Sequence, residues 1–114
     1  MSVKAVVLSA ANWRSEVEDA EQPVLVDFSA SWCPPCRAIA PTIDALAEEF
    51  RGRIKVGTLD VDAEPELAER YGVRAMPTLL MLDRGKVVDQ HLGAAPREIL
   101  HAFLLAHAPA EVPA

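Results

Sequence analysis

Two thiols flank a pair of prolines in Ser31-Trp32-Cys33-Pro34-Pro35-Cys36-Arg37, and no other stretch of the sequence concentrates as much reactive chemistry. Residues three apart on a helix have Cβ atoms about 5–6 Å apart. A disulfide needs roughly 3.5–4.5 Å. The pair can therefore close with a small distortion, and the resulting bridge should be easy to reduce. The motif falls where an apolar strand gives way to a long amphipathic helix. That places Cys33 at the helix N-terminus, where unpaired N–H groups and the helix dipole favour an anion. A thiolate there has a lowered pKa and attacks. Cys36, one turn further in, is expected to be more buried and to act as the resolving thiol. Two plainer readings stand beside this one. The cysteines can be a permanent staple or inert core thiols. They can also be half of a zinc site, but zinc usually takes four ligands, and His91, His101 and His107 lie far along the chain without ligand spacing to the pair. No metal is expected.

An acidic residue stands in the strand before the motif. Pro23-Val24-Leu25-Val26-Asp27-Phe28 is otherwise an apolar run, as in a strand buried on both faces. An ionised carboxylate there is costly, so the pKa of Asp27 should be raised. Perturbed carboxylates cluster at functional sites. The plainer alternative is a strand-end aspartate bonded to neighbouring backbone.

The elements that must hold these groups follow from hydrophobic period and punctuation. Strands are expected over 3–8, 23–28, 54–61, 78–82 and 86–92. Helices are expected over 12–20, 34–50 and 64–71, with a last one starting near Pro96. The long helix carries the stripe Ile39, Ile43, Leu46, Ala47 and Phe50, with Gly52 as its stop. Pro65 and Gly72 bracket the third helix, and Asp83-Arg84-Gly85 turns a hairpin. Ile99, Leu100, Phe103 and Leu104 are the expected buried face of the last helix. The order β-α-β-α-β-α-β-β-α predicts an α/β protein with a mixed central sheet covered by helices.

The bulk numbers fit one small domain. The chain has 114 residues, 51% of them hydrophobic and 25% charged. We expect a domain over 1–107 and a loose tail over 108–114. A net charge of −6 argues against a nucleic-acid binder, which would want a basic stripe. No apolar run is long enough to cross a bilayer. The apolar start is too short for a signal peptide and runs straight into Asn12-Trp13-Arg14-Ser15-Glu16. The expected location is the cytoplasm, where one close cysteine pair favours reversible chemistry over a staple.

Trp32-Cys33-Pro34-Pro35-Cys36 resembles the active site of the thioredoxin family, usually written W-C-G-P-C, and the likeness extends along nearly the whole chain. Val26-Asp27-Phe28 looks like that family's buried strand with its acidic residue. Pro41 looks like the proline that kinks the active-site helix. Tyr71-Gly72-Val73-Arg74-Ala75-Met76-Pro77-Thr78-Leu79 is similar to the segment carrying the family's cis-proline. Gly93-Ala94 looks like the glycine-containing part of the substrate groove. The resemblance implies a thioredoxin fold, with helices on both faces of the sheet, and reduction of protein disulfides by dithiol exchange. Cys33 would be the nucleophile and Cys36 the resolving thiol. Asp27 would accept and return the proton of Cys36 through water. Trp32, Pro34, Pro35, Met76, Pro77, Gly93 and Ala94 would form the substrate surface, with the Met76 backbone pairing to an extended substrate. A cis Met76–Pro77 bond follows only from the resemblance, since most X–Pro bonds are trans. No bound cofactor is implied. The implied partners are disulfide-containing proteins and a flavin-dependent, NADPH-consuming thioredoxin reductase, and nothing demands more than a monomer.

Three positions depart from the family's pattern. Pro34 replaces a glycine, which stiffens the loop and removes an N–H that could face the Cys33 sulfur. These effects push the reduction potential in opposite directions. Ser29 stands where a tryptophan is common. Thr58 stands where a lysine usually lies near the buried aspartate, so Asp27 is expected to be harder to ionise. The reaction class is unaffected, but two rival uses of the fold remain. One is an oxidase or isomerase. The other is a binding module with little redox role.

Overall fold

The computed structural model describes residues 5–110. The expected start of the first strand at residue 3 and the end of the expected tail, 111–114, lie outside the described residues. Five strands form one sheet: β1 (Val6–Val7), β2 (Val24–Ser29), β3 (Lys55–Asp60), β4 (Thr78–Asp83) and β5 (Lys86–Leu92). Their spatial order is β1-β3-β2-β4-β5. β3 runs parallel to β1 and β2, whereas β4 is antiparallel to β2 and β5. The sheet is therefore mixed, as expected.

β2 lies between β3 and β4, and Val24 to Phe28 are all buried. This is why its sequence is continuous rather than alternating. Its side chains still point to opposite faces in turn. Val24, Val26 and Phe28 pack with Trp13, Val17, Leu67 and Ala68 on one face. Leu25 packs on the other with Ile39, Ile43, Leu46, Phe50, Leu100 and Leu104. Asp27 shares the Leu25 face by this alternation, which aims it toward the long helix.

That helix, α1 (Pro34–Glu49), buries the whole expected stripe: Ile39, Ile43, Leu46, Ala47 and Phe50. Each large apolar side chain so buried is worth about 1.5–3 kcal/mol. Pro41 lies inside the helix, where it cannot donate to the Arg37 carbonyl one turn back. α2 (Pro65–Arg70) starts on its proline and ends in a Schellman turn. Gly72 N–H bonds to Glu69 O at 3.0 Å and Val73 N–H to Ala68 O at 2.9 Å. Gly72 takes φ +69° there, a conformation that glycine adopts without a Cβ penalty. The β4–β5 hairpin turns through Arg84 (φ 51°) and Gly85 (φ 83°), the paired positive φ of a type I′ turn.

Two sequence expectations are corrected. The helix expected over 12–20 is a single π-type turn, Arg14–Glu18. Asp19 N–H reaches back five residues to Arg14 O at 2.8 Å. Only Trp13, Val17 and Ala20 of this stretch need burying, and one turn suffices for them. In α3 (Arg97–Leu105), Leu100 and Leu104 are buried and Phe103 is half-buried, but Ile99 is 51% exposed. Leu100 and Leu104, four apart, join the core cluster that holds Leu25, Leu79 and Met81 of the sheet and the α1 stripe, and Ile99 lies outside it.

Candidate active site

Cys33 and Cys36 are joined as a disulfide with a Cα–Cα distance of 5.3 Å. Cys33 is the N-cap of α1 with extended backbone (φ −94°, ψ 108°). Its sulfur accepts from Cys36 N–H at 3.3 Å. Pro34 and Pro35 fill the first two helical positions and have no N–H to offer. Cys36 N–H is thus the first donor of the helix, and the sulfur takes it. Arg37 N–H goes instead to the Cys33 carbonyl at 3.1 Å.

Burial does not separate the two thiols as strongly as the sequence suggested. Cys33 is 4% exposed and Cys36 2%. Their neighbours separate them instead. Cys33 Sγ lies 3.7 Å from the Met76 carbonyl oxygen, while Cys36 lines, with Asp27, a cavity open to the surface.

The Met76–Pro77 bond is cis, as the resemblance implied. Pro77 O accepts from Gly93 N–H at 2.9 Å, which ties the proline loop to the residue after β5. Ala94 follows on the surface. Trp32 is 60% exposed and therefore is not a core cap. Its Nε1–H donates to Asp62 Oδ2 at 2.7 Å. The structure thus brings Cys33, Cys36 and Met76 into one packed group, and links Pro77 to Gly93. Pro34 and Pro35 are exposed beside the disulfide.

Asp27 is only 2% exposed. Its Oδ1 has no hydrogen-bond partner among the described residues, so the backbone-bonded alternative does not hold for that oxygen. Burial lifts the carboxyl from the usual 3.8 to about 7. The cavity beside it, about 270 Å³, is lined by Asp27, Ser29, Cys36, Arg37, Thr58 and Asp60, among others. Thr58 is the direct register partner of Asp27 across β2 and β3. A larger hollow of about 520 Å³ lies between the π-type turn and α2, around Trp13 and Arg70, and contains neither cysteine nor Asp27. The smaller one contains both Asp27 and Cys36. Among the described residues no cluster of metal-binding side chains occurs. No described helix is long and apolar enough to cross a membrane.

Sequence reasoning missed three neighbours of the site. Asp62 holds the Trp32 indole. Arg37 donates to Ser31 O at 2.7 Å and braces the loop ahead of Cys33. Asp60 stands at the end of β3 on the cavity wall. Only Asp60 carried a usable signal, since it follows Thr58 on the same face of its strand.

A family model described as thioredoxin matches residues 4–106. Thioredoxin C-2 of Corynebacterium nephridii is 46% identical over 104 residues, covering 91% of this chain and 96% of the relative. Thioredoxin 1 of Nostoc sp. is 42% identical over 107 residues, covering 94% and 99%. A chloroplastic M-type thioredoxin of Pisum sativum is 46% identical over 94 residues, covering 82% of this chain and 55% of that protein.

Proposed function

The chain belongs to the thioredoxin family and is a thiol–disulfide oxidoreductase, and we propose that its turnover runs on Cys33 as nucleophile, Cys36 as resolving thiol and Asp27 as proton acceptor. The reduced protein starts with two thiols. The Cys33 thiolate attacks one sulfur of a substrate disulfide. The substrate's other sulfur leaves as a thiolate and takes a proton from solvent. Asp27 then accepts the Cys36 proton. The Cys36 thiolate attacks the Cys33 sulfur, expels the substrate's second sulfur as a thiolate that takes its proton from solvent, and closes the Cys33–Cys36 bridge. The substrate has gained two electrons and two protons, and the bridge has lost them. A reductase returns them.

The observation that carries this reading is the disulfide at the N-cap of α1, beside the Met76 carbonyl. A thiolate in that position keeps the Cys36 N–H bond and the favourable end of the helix dipole. Trp32, Pro34, Pro35, Met76, Pro77, Gly93 and Ala94 form the docking surface, on which the Met76 backbone pairs with an extended segment of substrate. Asp27 is suited to its role because a carboxyl titrating near 7 gives and takes a proton at neutral pH.

As a thioredoxin-type reductase the protein works on disulfide-bearing proteins and is recycled by a thioredoxin reductase. Its place in our reading is the cytoplasm, supported by a single close cysteine pair instead of a spread framework. We assign the working domain to 1–107 and take the monomer as the active unit, because the dithiol, Asp27 and the docking surface all come from one chain. Equilibration against a glutathione series tests the direction of the reaction. The expected potential is about −270 mV, the value typical of thioredoxins. A value at or above about −200 mV would place the chain with isomerases and oxidases instead.

A further inference from the structure

β2 and β3 are parallel neighbours in register, Asp27 beside Thr58 and Ser29 beside Asp60. Residues two apart on a strand share a face. The four side chains therefore make a two-rung polar ladder on the α1 side of the sheet. The inner rung is a buried carboxyl and a half-buried hydroxyl. The outer rung is a half-buried hydroxyl and an exposed carboxylate. All four line the cavity that also reaches Cys36. At about 270 Å³ it has room for several waters, each with a share of liquid volume near 30 Å³. A water there finds the partners it needs in the two hydroxyls and the carboxyls. Ser29 and Thr58 are also two of the positions where the sequence departs from the thioredoxin pattern. A tryptophan and a lysine there would put an indole and an ammonium where this chain has small hydroxyls.

We propose that Ser29 and Thr58 are positioning residues that hold the cavity water, and that this water joins Asp27 and Cys36 to Asp60 at the surface as the exit route of the Cys36 proton. The inference rests on the reading of Asp27 as proton acceptor. The proton passes from the Cys36 thiol to the Asp27 carboxylate, then along the water to Asp60 and solvent, and the route consumes no further reagent. The other charged group facing this space is Arg37 on α1, whose guanidinium donates to Ser31 O at 2.7 Å. β4 presents only apolar Leu79 opposite Asp27.

The test is stopped-flow reduction of 5,5′-dithiobis(2-nitrobenzoate) by the reduced full-length protein. Attack by Cys33 releases the first nitrothiobenzoate, and attack by Cys36 on the mixed disulfide releases the second. Thr58→Val keeps the shape and removes the hydroxyl, while Ser29→Trp fills the cavity. Both are expected to move the acidic limb of the second phase up by about one pH unit and slow it ~10-fold near pH 6, leaving the first phase unchanged. A carboxyl-carbon NMR titration of Asp27 in the oxidised protein should show the same rise. Asp27→Asn separates the two ideas. If it slows the second phase while Thr58→Val leaves both the limb and the titration unmoved, the water route is wrong and the Asp27 role stands. If Asp27→Asn leaves the second phase unchanged, the role of Asp27 falls and the route falls with it.

Discussion

Thr58 is the residue-scale difference with the sharpest consequence. It sits in register with Asp27 on the cavity wall, and a cation at that position would stabilise the carboxylate. Thr58→Lys should pull the Asp27 carboxyl down from about 7 and shift the acidic limb of Cys36 resolution to lower pH. A pH–rate profile reads this directly, and an unchanged limb would refute the coupling. The same residues show what a sequence can disclose. Cys33, Cys36 and Asp27 were legible because a thiol pair three apart and a carboxyl inside an apolar strand are informative by type and position alone. Asp62 was not, because its bond to Trp32 joins residues 30 apart and nothing local marks it. Releasing the indole with Asp62→Ala should loosen the docking wall. The expected signature is a raised KM for a protein disulfide with little change in kcat. An unchanged KM would mean that the indole is held by packing alone.

The start of α1 is the element on which reactivity turns. Two prolines leave the Cys33 sulfur a single backbone donor, Cys36 N–H. Pro34→Gly adds an N–H at the first helical position, so the Cys33 thiol pKa should fall, as followed by thiolate absorbance against pH. The same change frees the unfolded chain and should cost about 0.5–1 kcal/mol in urea unfolding. A thiol pKa that does not move would show that the added N–H points away from the sulfur. Elements were legible where several cues agreed. The stripe of α1, the Pro65–Gly72 bracket of α2 and the β4–β5 hairpin each combine a hydrophobic period with the right end residues. The stretch around Val17 had no such agreement of cues: of its residues only Trp13, Val17 and Ala20 are buried, and a single π-type turn formed in place of a full helix. Ile99 fits the helical period as well as Leu100 does. Which of them faces the sheet depends on how α3 lies against α1, and that is settled by tertiary packing.

At the scale of the whole molecule, the burial of Asp27 sets function against stability. Its carboxyl titrates at about 7 in the folded protein and at 3.8 when unperturbed. Between those values the folded state binds more protons than the unfolded one, so this group's contribution to stability falls as pH rises through the window. Below 3.8 both states are protonated and no penalty exists. Above about 7 the penalty is complete, and the shift corresponds to about 4 kcal/mol. Glu49 and Asp89 act in the opposite sense. Their hydrogen bonds to His101 and His107 hold their carboxyls below the usual range, so what they add is lost as pH falls. Comparing two chains that both keep these pairs cancels that contribution and isolates Asp27. Asp27→Asn in the oxidised protein should therefore be more stable than the parent near pH 8, by up to about 4 kcal/mol, with the advantage vanishing toward pH 3.5. Urea unfolding at both pH values measures it. An equal difference at the two ends would mean that the carboxyl is not titrating in the fold, and the proton chemistry assigned to Asp27 would lose its physical basis. A difference that grows with pH would show how much stability the fold gives up to keep a carboxyl buried in the cavity it shares with Cys36.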